Sequence, residues 1–141
     1  MLSISREKQL AYVLLQMGIK QDVSGYKYLK HAISMYMDDD TVSFTQKVYP
    51  EIAKKFSIAP HSVERAMRHA IETAFSVAPI EVVTAVFGNT INYNSGKVTC
   101  SHFVAAVAEK MRFLYVPTEY SDISTLIVKD PIEKMIAEVG A

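Results

Sequence analysis

Glu64, Arg65 and Arg68 are charged residues whose spacing places them along one side of a helix. An arginine can donate two hydrogen bonds to a guanine, and a glutamate can accept one from the cytosine amino group. On a helix, these side chains can therefore read base edges in a DNA major groove. The alternative is a solvated outer face held by charge pairs, because Glu64–Arg68 and Arg65–Glu72 lie at or near stabilising separations.

Residues 60–75 predict the helix that would carry these side chains. Pro60 occupies the first turn, where its missing N–H costs no hydrogen bond. At 3.6 residues per turn the segment separates into two faces. The apolar face consists of Val63, Ala66, Met67, Ala70, Ile71, Ala74 and Phe75, and the polar face of His61, Arg65, Arg68 and Glu72, with Glu64 and His69 on its flanks. We expect the apolar face to lie in the core.

A shorter helix is predicted just before this one. Its apolar positions are Phe44, Val48, Ile52, Ala53 and Phe56. Because proline is tolerated only near a helix start, the regular helix is expected to begin at about Pro50. Lys54 and Lys55 lie on its polar side, and residues 57–60 form a short turn. This order is typical of a helix-turn-helix, in which the first helix lies across the DNA backbone and the second enters the groove.

The rest of the chain predicts four further helices. The expected spans run from an N-cap at Ser5 to Gly18, from about Ser24 to Met37, from Ile80 to Gly88, and from a cap at Thr99 or Ser101 to Arg112. The last helix has an apolar face formed by Phe103, Val104, Val107, Ala108 and Met111, and Lys110 and Arg112 stand on its exposed end.

Two segments differ from this helical pattern. Residues 89–98 are polar and predict a hairpin or a loop, and the pattern changes again from about residue 117. We therefore expect an all-α fold, a compact bundle of about six helices containing a helix-turn-helix, within residues 1–116. Residues 117–141 would form a C-terminal extension that docks on the bundle or makes an interaction.

The composition bounds the function. Lys+Arg and Asp+Glu balance at 15 each, which weakens a nucleic-acid hypothesis without excluding it, since charge placement matters more than the sum. Cys100 is the only cysteine, so an internal disulfide is excluded, and a reducing cytoplasm is expected. No apolar run is long enough to cross a membrane.

Other residue types that carry chemistry give weak patterns. The histidines are His31, His61, His69 and His102, and none has metalloprotease spacing. Asp38–Asp40 lack the glycine and glutamate of a calcium loop and predict a solvated turn. Cys100, near a helix start, could have a lowered pKa, although a small cap-region residue is the simpler interpretation. We expect no enzyme, no metal and no cofactor.

Five stretches carry a resemblance to a known family. They are residues 25–35, Tyr49–Phe56, residues 63–72, residues 87–88 and residues 103–112. Together they resemble the C-terminal DNA-binding effector domain of the stage-zero A sporulation regulator, a response regulator of endospore-forming Firmicutes. The resemblance covers roughly residues 10 to 113. It implies a helical domain of about six helices with a helix-turn-helix, and sequence-specific binding to short, often tandem, promoter boxes.

The resemblance also assigns roles to residues. Glu64, Arg65 and Arg68 match the groove-facing positions of the family, and Lys54 and Lys55 suit contacts to the DNA backbone. Further candidates for backbone contact are His61, Ser62, His69, Lys97 and Lys110. The chain departs from the family at Ser62, where arginine is usual, and at residues 76–79, which replace a basic turn. Family members usually carry a receiver domain ahead of this one, and the pattern before Leu10 leads us to expect none here.

Two functions follow from these patterns. The first is a regulator of sporulation that binds double-stranded DNA without a receiver domain of its own. The second is a protein-interaction module that has weak or no DNA binding and modulates the full-length regulator. For either function, the expected protein partners are a second copy of the chain, as a homodimer, or a related regulator, as a heterodimer.

Overall fold

The computed structural model describes residues 4–88 and 98–114. Within these ranges the chain forms six α-helices and no strand, which confirms the all-α prediction. The helices are α1 (Ile4–Gln16), α2 (Ser24–Asp38), α3 (Tyr49–Phe56), α4 (Pro60–Phe75), α5 (Ile80–Phe87) and α6 (Cys100–Leu114). A π-helical segment, Phe44–Val48, leads directly into α3. None of the described helices has the length and hydropathy of a membrane span.

Helix α2 is the centre of the bundle, because it packs against α1, α3, α4 and α6. Leu29, Ala32 and Ile33 are completely buried in it. Gly25 allows a close approach to α4, since a Cβ atom there would lie 2.5 Å from the carbonyl oxygen of Ala66. The orientation of α4 is thereby set by its contact with α2.

Helix α1 begins earlier than its sequence indicated. Ser5 lies inside the helix, so the expected N-cap at this residue was wrong. The side chain of Arg6, which is 9% exposed, donates a hydrogen bond to the carbonyl oxygen of Met111 in α6. This contact anchors the first turn of α1 to α6. The helix accordingly begins at Ile4, before the expected cap.

The C-terminus of α2 is closed by an arginine from α6. Arg112 donates to the carbonyl oxygens of Tyr36 and Met37, at 3.3 and 3.4 Å, and pairs with Asp40 at 3.5 Å. A cation is favourable at this end of a helix because the last carbonyls carry negative partial charge. Arg112, expected on an exposed helix end, is instead half-buried and joins two helices. Asp39 accepts from Thr41 in the exposed turn, as a solvated turn requires.

Helix α6 confirms the predicted cap and core face. Thr99 accepts a hydrogen bond from the backbone N–H of His102 at 3.1 Å, so Thr99 rather than Ser101 caps the helix. The predicted apolar residues, Phe103, Val104, Val107, Ala108 and Met111, are all completely buried. Both the polar segment 89–97 and the extension 117–141 lie outside the described residues.

Candidate nucleic-acid interface

The helix-turn-helix consists of α3, the turn at residues 57–59, and α4. Ser57 ends α3 with a left-handed backbone, φ 56° and ψ 47°, and Ile58 N–H returns to the carbonyl of Ala53 at 3.0 Å. A left-handed residue at this position lets the chain reverse within a few residues. Pro60 then opens α4, as its sequence predicted. The two helices pack directly against each other.

The two faces of α4 are as predicted. Val63, Met67 and Ala74 are completely buried, and Ile71 is nearly so. The exposed residues include His61, Arg65, Arg68, His69 and Glu72, while Ser62 and Glu64 are half-buried at the edge. The helix therefore turns two arginines and two carboxylates away from the core, and their role in reading DNA stays a prediction.

Arg65 and Arg68 differ in their surroundings. The guanidinium of Arg68 lies 3.4 Å from the carboxylate of Glu64, one turn earlier on α4. Arg65 is exposed and forms no ion pair within the described parts of the chain. Exposed helical pairs stabilise by only about 0.3–0.5 kcal/mol, so the Glu64–Arg68 pair can be exchanged for a stronger contact. Arg65 can donate to a ligand directly, whereas Arg68 has to break its ion pair with Glu64 or donate to both Glu64 and the ligand.

The lysines of α3 form a second group of cations. Lys54 and Lys55 are exposed in its last turn, while Lys47 is held by Glu51 at 3.6 Å. Lys55 lies close enough to His31 to lower the pKa of that imidazole, although burial is the larger cause of the shift. The two lysines at residues 54 and 55 thus precede the turn into α4, on the helix that crosses the backbone in a helix-turn-helix.

The remaining candidates for backbone contact are less uniform. Lys110 is half-buried in α6 and interacts with neighbouring groups. Lys97 lies outside the described residues. His69 is exposed on the flank of α4, and His61 is exposed in its first turn. The structure therefore places the α3 and α4 candidates on adjoining helices, and their contacts with DNA stay a prediction.

A cleft of about 300 Å³ lies beside the outer face of α4. It is lined by Tyr49, Glu64, Arg68, Glu72, Val98, Thr99, Cys100 and Ser101. No sequence pattern predicted this arrangement, because Tyr49 and the start of α6 meet α4 only through the tertiary fold. The cleft shows that two of the proposed base readers have neighbours on α3 and α6.

Cys100 is buried at one wall of this cleft, and its thiol donates to the carbonyl oxygen of Glu64 at 3.7 Å. Burial raises the pKa of the thiol to about 11, so the suggestion of a lowered pKa was wrong. Proximity to the α6 N-terminus is outweighed by the loss of water around the sulfur. Among the described residues, no group of histidines, cysteines and carboxylates could hold a metal ion.

A bundle of helices around a helix-turn-helix, with arginines on the outer face of the second helix, defines a DNA-binding effector domain of the helix-turn-helix class. The family described as "Sporulation initiation factor Spo0A C terminal" matches residues 10–111 of the chain. The chain belongs to this family of DNA-binding domains of sporulation response regulators, which confirms the resemblance found in the sequence. The match includes all of α2 through α5 and most of α1 and α6.

Proposed function

We propose that this chain is a sequence-specific regulator that binds sporulation promoters with α4 in the major groove. The observation that carries the proposal is the outer face of α4, where Arg65 and Arg68 stand exposed beside Glu64. The opposite face of the same helix is buried, so only this side is free to meet a ligand. Membership of the family supports DNA as that ligand. Such a protein acts on the chromosome, in the cytoplasm.

The three base-reading candidates have different proposed roles. Arg65, which forms no ion pair within the described residues, is suited to a bidentate contact with guanine. Glu64 accepts from a cytosine amino group and repels wrongly placed phosphates. Arg68 exchanges its 3.4 Å contact with Glu64 for a guanine or a phosphate. One helix turn thus contains both donors and an acceptor for base edges.

Contacts to the backbone are proposed for a second group of residues. Lys54 and Lys55 are the best placed, because they are exposed at the end of α3, before the turn. The others proposed are His61, Ser62, His69, Lys97 and Lys110. If the two lysines and the two arginines each neutralise one phosphate or an equivalent charge, the slope of log K against log salt is expected to be about −3 to −4.

The proposal is tested by binding of the purified chain to a sporulation-promoter duplex and to a scrambled duplex across a salt series. Selective binding that is lost in Arg65→Ala/Arg68→Ala would support it. The matched control is Lys8→Ala/Lys20→Ala, which removes the same charge from exposed positions in α1 and just after it. Equal weak binding of the wild-type chain to both duplexes would refute sequence-specific recognition.

A second candidate function is an interaction module that modulates the full-length regulator. Three observations favour it: the balanced net charge, the pairing of Arg68 with Glu64, and three exposed apolar side chains. The latter are Leu15, Val77 and Ile80, at 48, 66 and 57% exposure. If this function holds, the chain forms a complex with the full-length regulator, and deletion after Val116 removes that complex if the extension makes the contact. Co-sedimentation of the two proteins tests both statements.

A further inference from the structure

Polar contacts of Tyr49 and Cys100 join α3 and α6 to α4 directly behind the proposed base readers. The thiol of Cys100, the first residue of α6, donates to the backbone carbonyl of Glu64 at 3.7 Å. The hydroxyl of Tyr49, the first residue of α3, lies within hydrogen-bonding reach of the Cys100 sulfur, and both residues line the same cleft. The carboxylate of Glu64 in turn holds Arg68 at 3.4 Å. The starts of α3 and α6 are therefore both tied to the turn of α4 that carries the base readers.

The direction of these hydrogen bonds depends on the protonation of the thiol. Because the thiol proton is donated to the Glu64 carbonyl, the sulfur is left to accept from the Tyr49 hydroxyl. Cys100 is 5% exposed, and burial raises its pKa to about 11. Burial is also the main cause that raises the pKa of Tyr49. Both groups therefore stay neutral at physiological pH and keep the protons that the two bonds require.

The Tyr49 ring is itself held in place. It packs edge-on against Phe44, with ring centroids 5.8 Å apart, and it lines the cleft together with Arg68 and Glu72. A ring fixed by such a contact has few alternative positions, so its hydroxyl remains aimed at the junction with α6. Tyr49 therefore lies between Phe44 of the π-helical segment and the residues of α4 that line the cleft.

We propose that Tyr49 and Cys100 are positioning residues for DNA reading, which fix the rotation and depth of α4 so that Glu64 and Arg68 meet base edges in one geometry. The inference rests on the proposed function. Specific recognition requires side chains held within about 0.5 Å and 10–20° of the productive arrangement. Contacts to phosphates tolerate more movement, so loss of the junction lowers selectivity and leaves the electrostatic part of binding unchanged.

Three variants test this role: Tyr49→Phe, Cys100→Ala and Cys100→Ser. Tyr49→Phe removes the hydroxyl beside the Cys100 sulfur, and Cys100→Ala removes the contacts of the thiol with both Glu64 and Tyr49. For each of these two variants we expect the ratio of affinities for the promoter and scrambled duplexes to fall about three- to tenfold. The slope of binding against salt should not change. Cys100→Ser keeps both a donor and an acceptor and should restore most of the ratio. An unchanged ratio in both Tyr49→Phe and Cys100→Ala would overturn the proposal.

A control variant on the same helix distinguishes a positioning role of Cys100 from a general loss of stability. Val104→Ala opens a small cavity in the buried face of α6 and lowers stability without touching the cleft. It should leave the selectivity ratio at its wild-type value at a temperature where all variants are folded. If Val104→Ala lowers the ratio as much as Cys100→Ala, the effect is one of stability, and the positioning role is wrong.

A second readout does not depend on DNA. The Nε–Hε signal of Arg68 in the NMR spectrum of the free protein reports the environment of its guanidinium. We expect it to shift in Tyr49→Phe and Cys100→Ala and to remain in place in Val104→Ala. If the wild-type chain does not discriminate between duplexes, the proposed function fails while this signal still decides whether Tyr49 and Cys100 position Arg68. An unmoved signal in both cleft variants would contradict the inference.

Discussion

Gly25→Ala tests whether the contact between α2 and α4 sets the recognition surface. A Cβ atom at Gly25 would lie 2.5 Å from the Ala66 carbonyl oxygen and 2.6 Å from the Ala70 Cβ. Ordinary contacts of this kind begin near 3.4 Å, so α4 would have to move by about 0.9 Å. The obstacle is backbone and a Cβ atom, neither of which can rotate away.

The expected magnitude is a balance of two effects. In an open helix position, Gly→Ala stabilises by roughly 0.5–1 kcal/mol, because alanine loses less backbone entropy on folding. Overpacking a close helix contact typically costs about 1–3 kcal/mol. We expect a net loss of about 1–2 kcal/mol in the free energy of unfolding. This corresponds to a melting temperature lower by roughly 3–8 °C for a domain of this size.

Urea and thermal unfolding, followed by circular dichroism, measure this loss. Ala70→Gly in the same background removes only one of the two clashes, so the double variant should recover part of the loss beyond the separate cost of the new glycine. Promoter binding at a temperature where Gly25→Ala is folded should also weaken, because α4 is displaced. If Gly25→Ala were as stable as the wild type or more stable, the close packing of α2 on α4 would be wrong.

Four other changes have defined outcomes. Arg65→Ala should weaken promoter binding by about 1–3 kcal/mol, measured by fluorescence anisotropy, and wild-type affinity would exclude it as a base reader. Lys54→Ala/Lys55→Ala should reduce the salt slope by about 2 and leave the selectivity ratio unchanged; an unaltered slope would remove them from the backbone contacts. Arg112→Ala should lower the free energy of unfolding by about 1–2 kcal/mol, since it leaves the α2 carbonyls without their partner, and an unchanged urea midpoint would show that water replaces it. Cys100 should react with maleimide in the folded protein only as the pH approaches 11. Because its folded pKa is raised, the stability it contributes is complete below its unfolded pKa and is lost as the pH rises through the folded value; rapid labelling of folded protein at pH 8 would contradict the burial.

Periodicity was sufficient to predict α4 and its two faces. The spacing of Val63, Met67 and Ala74 determines which side of the helix is buried, and that leaves Arg65 and Arg68 outside. Such local patterns carry information because each face of a helix repeats within a few residues. The family stretches assigned the groove-facing role to residues on that same outer side, and this role stays a prediction.

Contacts between distant parts of the chain were not predictable. Arg112 was expected in solvent because it lies near the end of its own helix. It instead donates to the carbonyl oxygens of Tyr36 and Met37, which lie 76 and 75 residues earlier in the chain. The burial of Cys100 against Glu64 depends in the same way on how α6 packs on α4. A sequence pattern describes one helix at a time, and these contacts arise from the packing of two.

The balanced charge of the chain is compatible with the proposed selective DNA binding if ion pairing on the α4 surface weakens the wrong contacts more than the right ones. An exposed pair such as Glu64–Arg68, with side chains 34 and 51% exposed, stabilises by only a few tenths of a kcal/mol. A bidentate contact with the correct base contributes about 1–3 kcal/mol and easily replaces it. A single phosphate approaching the same surface meets the carboxylates of Glu64 and Glu72 as well as the arginines. If Glu64, Arg65 and Arg68 read bases as proposed, the carboxylates among them reduce non-specific affinity, and selectivity then depends on how accurately α4 is held by α2, α3 and α6.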